Sequence, residues 1–447
     1  MRIPLLTTAF LLLCLSAGGQ VVGRRAAATS LDNLVRWNPI FAEGHTGFSI
    51  CDLESGDQLY GYNAERYFVP ASNTKLLTFY VAQQLLGNRA PGMYYRQHGD
   101  TTEVWGTGYP LLLHPNFAEV DELATLLRSL DGTLRLNFPD GETPPRYGAG
   151  WSWDDYNFGY VYERSTLPVY GNRLYLDYYP PESDAPVGLY GVPPQVVSTL
   201  IQDASQRRTI DRREGNNQFT VNDRFYDRRN FPLERPLTIT PEVTAGQLAT
   251  AFPDLTVTTG TQPRPPADEL KTAYVGLPDT VYRKFLQDSD NYLAEQLILM
   301  AAAKRYGWSD EETFFDYAVD TLFRQIQLGD LRYADGSGLS RYNLLKPRQL
   351  TQLLTVMAKQ MGPDRLAALL PAGGVSGTLE NRFDNRFETY VWAKTGTLSG
   401  VTCVSGLLRC RSGRWMAFSF MHNNVMGRTS DYYREMEDAL GWAYDNL

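Results

Sequence analysis

The chain has 447 residues, 43% hydrophobic and 21% charged, ordinary globular values and length enough for two or three domains with a real core. Its formal net charge of −8 argues against a nucleic-acid partner. The 28 tyrosines suit a surface that grips an extended polar polymer and suit a well-packed β-rich core equally.

Met1-Arg2 precedes an apolar run from about Ile3 to Ala17, followed by the small residues Gly18 and Gly19. A positive start, a short apolar core and a small-residue exit describe a secretory signal over residues 1–19. The mature chain is therefore expected in a bacterial periplasm or otherwise exported. The run is short for a membrane span, and Leu13 precedes Cys14 where a lipid-attachment box needs a small residue. Membrane association is not predicted, although an uncleaved anchor stays open. The mature part keeps Cys51, Cys403 and Cys410, an odd count without Cys-x-x-Cys spacing. Either Cys403 pairs with Cys410 or all three are small buried apolar residues, and the second reading is favoured.

From residue 45 the chain reads as strand, turn, strand: Gly47 to Leu53, a Ser55-Gly56-Asp57 turn, then Gln58 to Tyr62. Lys75 to Leu86 is apolar nearly all round, as a buried helix is. From about residue 95 the texture changes to short alternating pieces, such as Thr102 to Trp105 and Asn172 to Asp177, between Pro- and Gly-rich turns. Glu119 to Leu130 reads as a helix. Residues 207–229 carry seven arginines interleaved with acids. Such a run is most often a solvated face, the alternative being a grip on an anionic polymer. Pro263 to Pro266 reads as a linker. Helices are expected again from Asn291 through Met300, from Glu311 to Gln327 and from Lys346 to Gln360. Strands at Tyr390 to Ala393, Thr402 to Leu408 and Trp415 to Met421, the last after a Ser412-Gly413 turn, precede a C-terminal helix from about Ser430. The division expected is a discontinuous block, 20–94 with 272–447, around an inserted β-rich region, 95–271, that holds two subdomains.

One short stretch carries the first chemical signal: Val69-Pro70-Ala71-Ser72-Asn73-Thr74-Lys75. Ser-x-x-Lys arises by chance about once or twice in a chain this long, and Ser72 is as good a helix cap as a nucleophile. Two companions follow in order: Ser289-Asp290-Asn291 before a helix, and Lys394-Thr395-Gly396-Thr397 on an expected strand. Each alone is weak, with an N-cap, a helix start and a solvated strand end as the plain readings. Together they resemble the signature of the penicillin-binding and serine β-lactamase enzymes.

The chemistry explains the parts. A serine hydroxyl needs a partner to take its proton, and one helical turn puts Lys75 on the same face as Ser72. Lys75 must be neutral when it acts, so burial and a nearby Lys394 charge are expected to lower its pKa. Ser289 would sit between the two lysines and relay a proton to the leaving amine. Asn291 would hold Lys75 and the substrate's peptide carbonyl. Lys394 and Thr395 would take a substrate carboxylate, while Gly396 admits a substrate backbone to the strand edge. The N–H groups of Ser72 and Thr397 would form the oxyanion hole. The four histidines, His45, His98, His114 and His422, occur in no His-Glu-x-x-His, and no Gly-x-Ser-x-Gly exists, so neither a metal nor a cofactor is expected.

The sequence resembles the D-alanyl-D-alanine carboxypeptidase/endopeptidases of the class C penicillin-binding protein 4 type, peptidase family S13, over most of the mature chain. The likeness rests on Ser289-Asp290-Asn291-Tyr292-Leu293-Ala294-Glu295, on Asp335-Gly336-Ser337-Gly338-Leu339-Ser340-Arg341, on Gly377-Thr378-Leu379 with Arg382, and on Trp392-Ala393-Lys394-Thr395-Gly396-Thr397. It also rests on the 217 positions between Ser72 and Ser289, more than a β-lactamase uses. The resemblance implies a mixed α/β transpeptidase fold, an antiparallel sheet flanked by helices, with inserted β-rich domains. It implies hydrolysis of peptidoglycan stem peptides and covalent inhibition by β-lactams. Through the segment Trp151-Ser152-Trp153-Asp154-Asp155 it further implies that Asp155 and Tyr160 meet the free amino-acid end of a diaminopimelate side chain. The Arg-rich stretch matches nothing in the family pattern. A β-lactamase or esterase on the same fold, and a non-catalytic peptidoglycan-binding protein, remain the alternatives. The Glu-x-x-Leu-Asn motif of class A β-lactamases is absent, and the intact motif residues speak against lost activity.

Overall fold

The alternating stretch near residue 50 folds as an antiparallel hairpin, β1 (His45–Asp52) and β2 (Gln58–Tyr62), turned where Gly56 takes φ +78°. The computed structural model describes residues 26–141, 143–179, 188–307 and 311–447, so the expected leader over residues 1–19 lies outside it. Helix α1 (Lys75–Leu85) is buried on every side through Ala82, which is why its sequence shows no polar face. After it come β3 (Arg89–His98), β4 (Thr101–Gly106) and β5 (Thr133–Asn137). Short strands follow: β6 (Arg173–Tyr178), β7 (Leu189–Val192), β8 (Ile201–Gln202), β9 (Ile210–Arg212), β10 (Phe219–Val221) and β11 (Leu233–Pro236). Strands β12 (Thr256–Gly260) and β13 (Lys271–Gly276) lead into α2 (Asn291–Tyr306) and α3 (Pro347–Met361). The chain closes with β14 (Val391–Leu398), β15 (Val401–Arg409), β16 (Trp415–Asn423) and α4 (Thr429–Asn446).

Strands from both ends of the chain build one antiparallel sheet, ordered β14-β15-β16-β1-β2. Its centre is buried on both faces, so β15 and β16 read as near-continuous apolar runs. The alternation survives within them. Cys403, Leu407 and Met421 face a core shared with α1, α2 and α3, whereas Val404, Leu408 and Phe420 face α4 through Tyr432, Met436 and Leu440. Phe48 stacks on Phe420 across the β1–β16 pair at 3.9 Å between ring centroids. Cys51, Cys403 and Cys410 are buried free thiols. Cys403 and Cys410 belong to different cores on the two faces, so the alternative of a pairing between them is not realised.

The second five-stranded sheet runs β12-β5-β4-β3-β13. Met93, Val104, Leu134, Leu136 and Val275 from it join the same core as Leu297 and Ile298 of α2. The expected divisions at 94/95 and 271/272 fall inside β3 and β13, because the change in sequence texture lags the first strand of this sheet. Residues 263–266 join β12 to β13, the two edges of one sheet, and are held there by Trp105 Nε1 donating to the Gln262 carbonyl at 2.9 Å and by Arg264 over the Tyr94 ring. They link strands, not domains. Two three-stranded sheets, β8-β10-β9 and β11-β6-β7, enclose a small separate core of Leu174, Leu176, Ile210, Phe219, Phe225 and Leu233.

The Arg-rich stretch forms β9, β10 and the short turns after them. Its arginines are exposed except Arg212, whose guanidinium is buried and donates to Thr238 Oγ1 at 2.5 Å and to the Tyr156 carbonyl at 2.9 Å. The helix expected from Glu119 begins at Glu122, since Asp121 caps it by accepting from the Ala124 N–H at 3.0 Å. The helix expected over 311–327 turns into a π-helical stretch at Ala318–Phe323.

Phe420→Ala is expected to cost about 3–5 kcal/mol by opening a cavity at the centre of the main sheet. Arg213→Ala on the exposed Arg-rich face is expected to stay within about 0.5 kcal/mol. Urea denaturation of the two variants checks both.

Candidate active site

Residues Ala71–Thr74 make one 3-10 turn that runs straight into α1, which puts Ser72 and Lys75 one turn apart on one face. Ala71 carries φ +48°, a left-handed backbone that costs a non-glycine residue roughly 1–3 kcal/mol. Two glycine-backed walls hold it. A Cβ at Gly338, which has φ +84°, would stand 1.9 Å from the Ala71 carbonyl oxygen. A Cβ at Gly396 would stand 2.7 Å from the Pro70 carbonyl oxygen and 3.0 Å from the Ser72 nitrogen. No side chain caps this turn, so the Ser72 hydroxyl is not spent on the helix start. The Ser72 N–H lies in the first turn, where no carbonyl one turn earlier is available to it.

Lys75 is fully buried, and its amine donates to Ser72 Oγ at 3.0 Å, Asn291 Oδ1 at 2.5 Å and the Ser337 carbonyl at 2.7 Å. Burial lowers its pKa to about 8, against the carboxylates of Asp335, Glu295 and Asp290, which act to raise it. Lys394 is equally buried, and its amine donates to the Thr395 carbonyl at 2.9 Å. Burial first, and then the Lys75 charge, push Lys394 well below an ordinary lysine. The expectation was that a charged Lys394 depresses Lys75. The three carboxylates gather around Lys75 instead, so of the two amines Lys75 keeps the proton longer.

Ser289 takes φ +58°, lines the cleft beside Ser72, and makes no hydrogen bond through its hydroxyl among the described residues. A formed Ser289 bridge between the lysines is therefore not present; the Ser337 carbonyl occupies the third acceptor position on Lys75. Asp290 caps α2 by accepting from the Leu293 N–H at 2.9 Å, and its other oxygen meets Arg173 at 3.3 Å. Burial works to raise the Asp290 pKa, but Arg173 and the Leu293 N–H hold it below the ordinary value. Asn291 gives Oδ1 to Lys75, while its Nδ2 donates to the Tyr160 carbonyl at 2.7 Å, the place expected for a substrate carbonyl.

The loop from Asp335 to Ser340 forms the second wall. Buried Asp335 accepts from Gly338 N at 2.8 Å, Ser340 N at 2.7 Å, Asn343 Nδ2 at 2.6 Å and Trp151 Nε1 at 2.8 Å. Ser337 N donates to Glu295 Oε1 at 2.7 Å, and the next peptide unit, whose Gly338 N–H is held by Asp335, presents the Ser337 carbonyl to Lys75. On the third wall, Thr395 Oγ1 bonds Thr378 Oγ1 at 2.8 Å, and Asn73 Nδ2 donates to the Lys394 carbonyl at 3.1 Å.

These walls enclose a cleft of about 710 Å³ that brings Ser72, Ser289, Asn291, Thr395 and Thr397 together with Asp155 and Tyr160. Burial and the neighbouring Asp155 carboxylate push the Tyr160 phenol up to about 12. The sequence reading did not foresee the Ser337 carbonyl, Glu295 or Thr378 as parts of the site. The Asp335–Arg341 and Gly377–Leu379 segments were visible as family likenesses, without a role. Among the described residues no group of three His, Cys, Asp or Glu is placed to hold a metal ion.

Gly338→Ala must displace the Ala71 carbonyl, and with it the Ser72 turn. Since a misplacement of about 1 Å costs on the order of 100-fold in rate, acylation of Ser72 by a labelled penicillin is expected to slow by about that factor. Circular dichroism and the melting profile check that the variant still folds.

The D-Ala-D-Ala carboxypeptidase 3 (S13) family model matches residues 27–444. The D-alanyl-D-alanine carboxypeptidase DacB of Haemophilus influenzae is 24% identical over 415 residues, 84% of this chain and 84% of its own. A D-alanyl-D-alanine carboxypeptidase of an Actinomadura species is 26% identical over 456 residues, 87% of this chain and 80% of its own. The crystal structure of penicillin binding protein 4 from Haemophilus influenzae matches with a TM-score of 0.71 at 21% identity, over 94% of this chain and 99% of that one. This likeness bears out the expected mixed α/β fold with its antiparallel sheet and flanking helices. With a family model that spans nearly all of the described residues, the protein belongs to the D-Ala-D-Ala carboxypeptidase 3 (S13) family.

Proposed function

We propose that this serine DD-peptidase acts on peptidoglycan stem peptides through an acyl-enzyme on Ser72, with Lys75 as the base. The observation that carries the assignment is the Lys75 amine 3.0 Å from Ser72 Oγ, buried and partly discharged beside the Lys394–Thr397 strand edge. Neutral Lys75 takes the Ser72 proton as Oγ attacks the carbonyl between D-alanine and the next residue. The Ser72 and Thr397 N–H groups receive the developing oxyanion. The proton passes to the leaving amine by way of Lys75 and Ser289, the C–N bond breaks, and water then releases the shortened peptide. Lys394, Thr395 and Thr378 take the terminal carboxylate, whose charge favours a protonated Lys394 once it is bound. Asp155 and Tyr160 at the rim meet the ammonium of a diaminopimelate side chain. The same site cuts a D-alanyl–diaminopimelate crosslink when the leaving amine belongs to that side chain. An exported location follows from the leader read over residues 1–19 and from the wall polymer as substrate.

A labelled penicillin is expected to modify the wild-type protein and to leave Ser72→Ala unmodified; equal labelling of both would overturn the assignment. The acylation rate should follow the neutral fraction of Lys75. With a pKa of about 8, roughly one lysine in ten is neutral at pH 7. The sign is fixed by the base role: protonation at low pH removes the base. Acylation is expected to fall about tenfold for each unit below pH 7 and to level off above pH 8. Rates measured from pH 5.5 to 9.5 check this.

A further inference from the structure

Three carboxylates act to keep the proton on Lys75. Asp335, Glu295 and Asp290 all bear on it, and all three are buried. Two of the three are paired with a buried arginine, and both arginines come from the inserted region. Arg164 Nη1 lies 3.6 Å from Glu295 Oε2, each side chain only 2% exposed. Arg173 Nη2 lies 3.3 Å from Asp290 Oδ2, with Arg173 1% exposed. Neither arginine is free to move. Arg164 donates to the Pro145 and Tyr147 carbonyls and lies over the Trp151 ring. Arg173 donates to Glu234 at 2.6 Å and sits over the rings of Tyr162 and Tyr292. Asp335, the third carboxylate, has N–H donors instead of a cation.

We propose that Arg164 and Arg173 are positioning residues through which the inserted region neutralises Glu295 and Asp290, so that Lys75 can give up its proton and serve as the base. Each arginine acts at one remove. Glu295 reaches Lys75 through the backbone on either side of the Ser337 Cα, and Asp290 through the start of α2 next to Asn291. The other charged group facing Lys75 is Lys394 on β14, which opposes protonation of the pair. Without the arginines the two carboxylates would lose their ion-pair partners in a low-dielectric interior, and the proton on Lys75 would then be held more strongly; Lys284 and His114 also bear on Asp290. The inference rests on the base role of Lys75.

The test is the pH profile of penicillin acylation, measured for the wild type, Arg164→Met, Arg173→Met, the charge-preserving Arg164→Lys, and the double variant Arg164→Met with Glu295→Gln. Glutamine keeps the oxygen that accepts from Ser337 N while removing the charge. Either methionine variant should move the midpoint of the acid limb upward by about one unit, slowing acylation about tenfold at pH 7 with recovery at high pH. Arg164→Lys and the double variant should return the midpoint to the wild-type position. A rate lowered equally at every pH with the midpoint unmoved marks the arginines as structural supports only and overturns the proposal. So does a midpoint that shifts as far in Arg164→Lys or in the double variant as in Arg164→Met. If Arg164→Met fails to fold, Arg164→Gln, a neutral donor to the Pro145 and Tyr147 carbonyls, takes its place, with the same upward shift expected and an unmoved midpoint overturning the proposal. A wild type that no penicillin acylates at any pH strikes the base role itself, and is thereby distinct from failure of the arginine proposal.

Discussion

A primary amine buried in the interior is the constraint on which this site depends. Lys75 sits on a helix that is covered on every side, too deep for its side chain to snorkel to solvent. A charged amine there needs three acceptors, and it has three: a hydroxyl, a carboxamide oxygen and a peptide carbonyl. Those acceptors arrive from positions 72, 291 and 337. The fold must therefore close α1, the start of α2 and the Asp335 loop upon one atom. The main sheet supplies the fourth side through Lys394 and Gly396, and its central strands are buried on both faces so that this edge is rigid.

The inserted region belongs to that closure. Its five-stranded sheet shares a core with α1 and α2, so it is not a bead on a linker. Trp151 ties it to Asp335, Arg164 to Glu295, Arg173 to Asp290, and the Tyr160 carbonyl to Asn291. Each contact reaches a motif residue or the group that orients one. The stretch of more than two hundred residues between the serine motifs thus surrounds the lysine with a polar second layer that contains buried ion pairs. Buried ion pairs of this kind contribute little net stability, but breaking one leaves a bare charge. They are better understood as fixing the electrostatics of the lysine than as holding the fold together.

Much of this was legible in the sequence, and the illegible part has a common cause. The hairpin at residue 50, the buried α1 and the three motifs each show a local pattern, a period or a spacing, and each folds as that pattern predicts. The site's supports have no local pattern. The Ser337 contribution is a backbone carbonyl, which any residue type would supply. Arg164, Arg173 and Arg212 look like the exposed arginines around them until distant chain segments bury them. The expected division near residue 94 falls inside β3, which opens with Arg89-Ala90-Pro91-Gly92, a turn-like composition in a strand that its pairing with β13 sustains. Burial lowers Lys75 as expected, but which of the two lysines keeps its proton longer was not legible, because only the fold shows which of them the carboxylates surround.

The nucleophile turn makes the same point at the scale of one dihedral. Ser72 could be read either as a cap or as a nucleophile, and the structure assigns its hydroxyl to Lys75 while leaving the turn uncapped. What stands in for a cap is steric confinement. Ala71 is held left-handed between Gly338 and Gly396, two positions whose missing side chains let separate walls touch the Pro70–Ser72 backbone. Strain of roughly 1–3 kcal/mol persists in a native state only where the surroundings over-determine it. Here the confining walls are also the lysine's acceptor loop and strand β14. The contacts that hold the serine turn in its unfavourable conformation are therefore those that set its distance from Lys75. Neither wall can relax without undoing both.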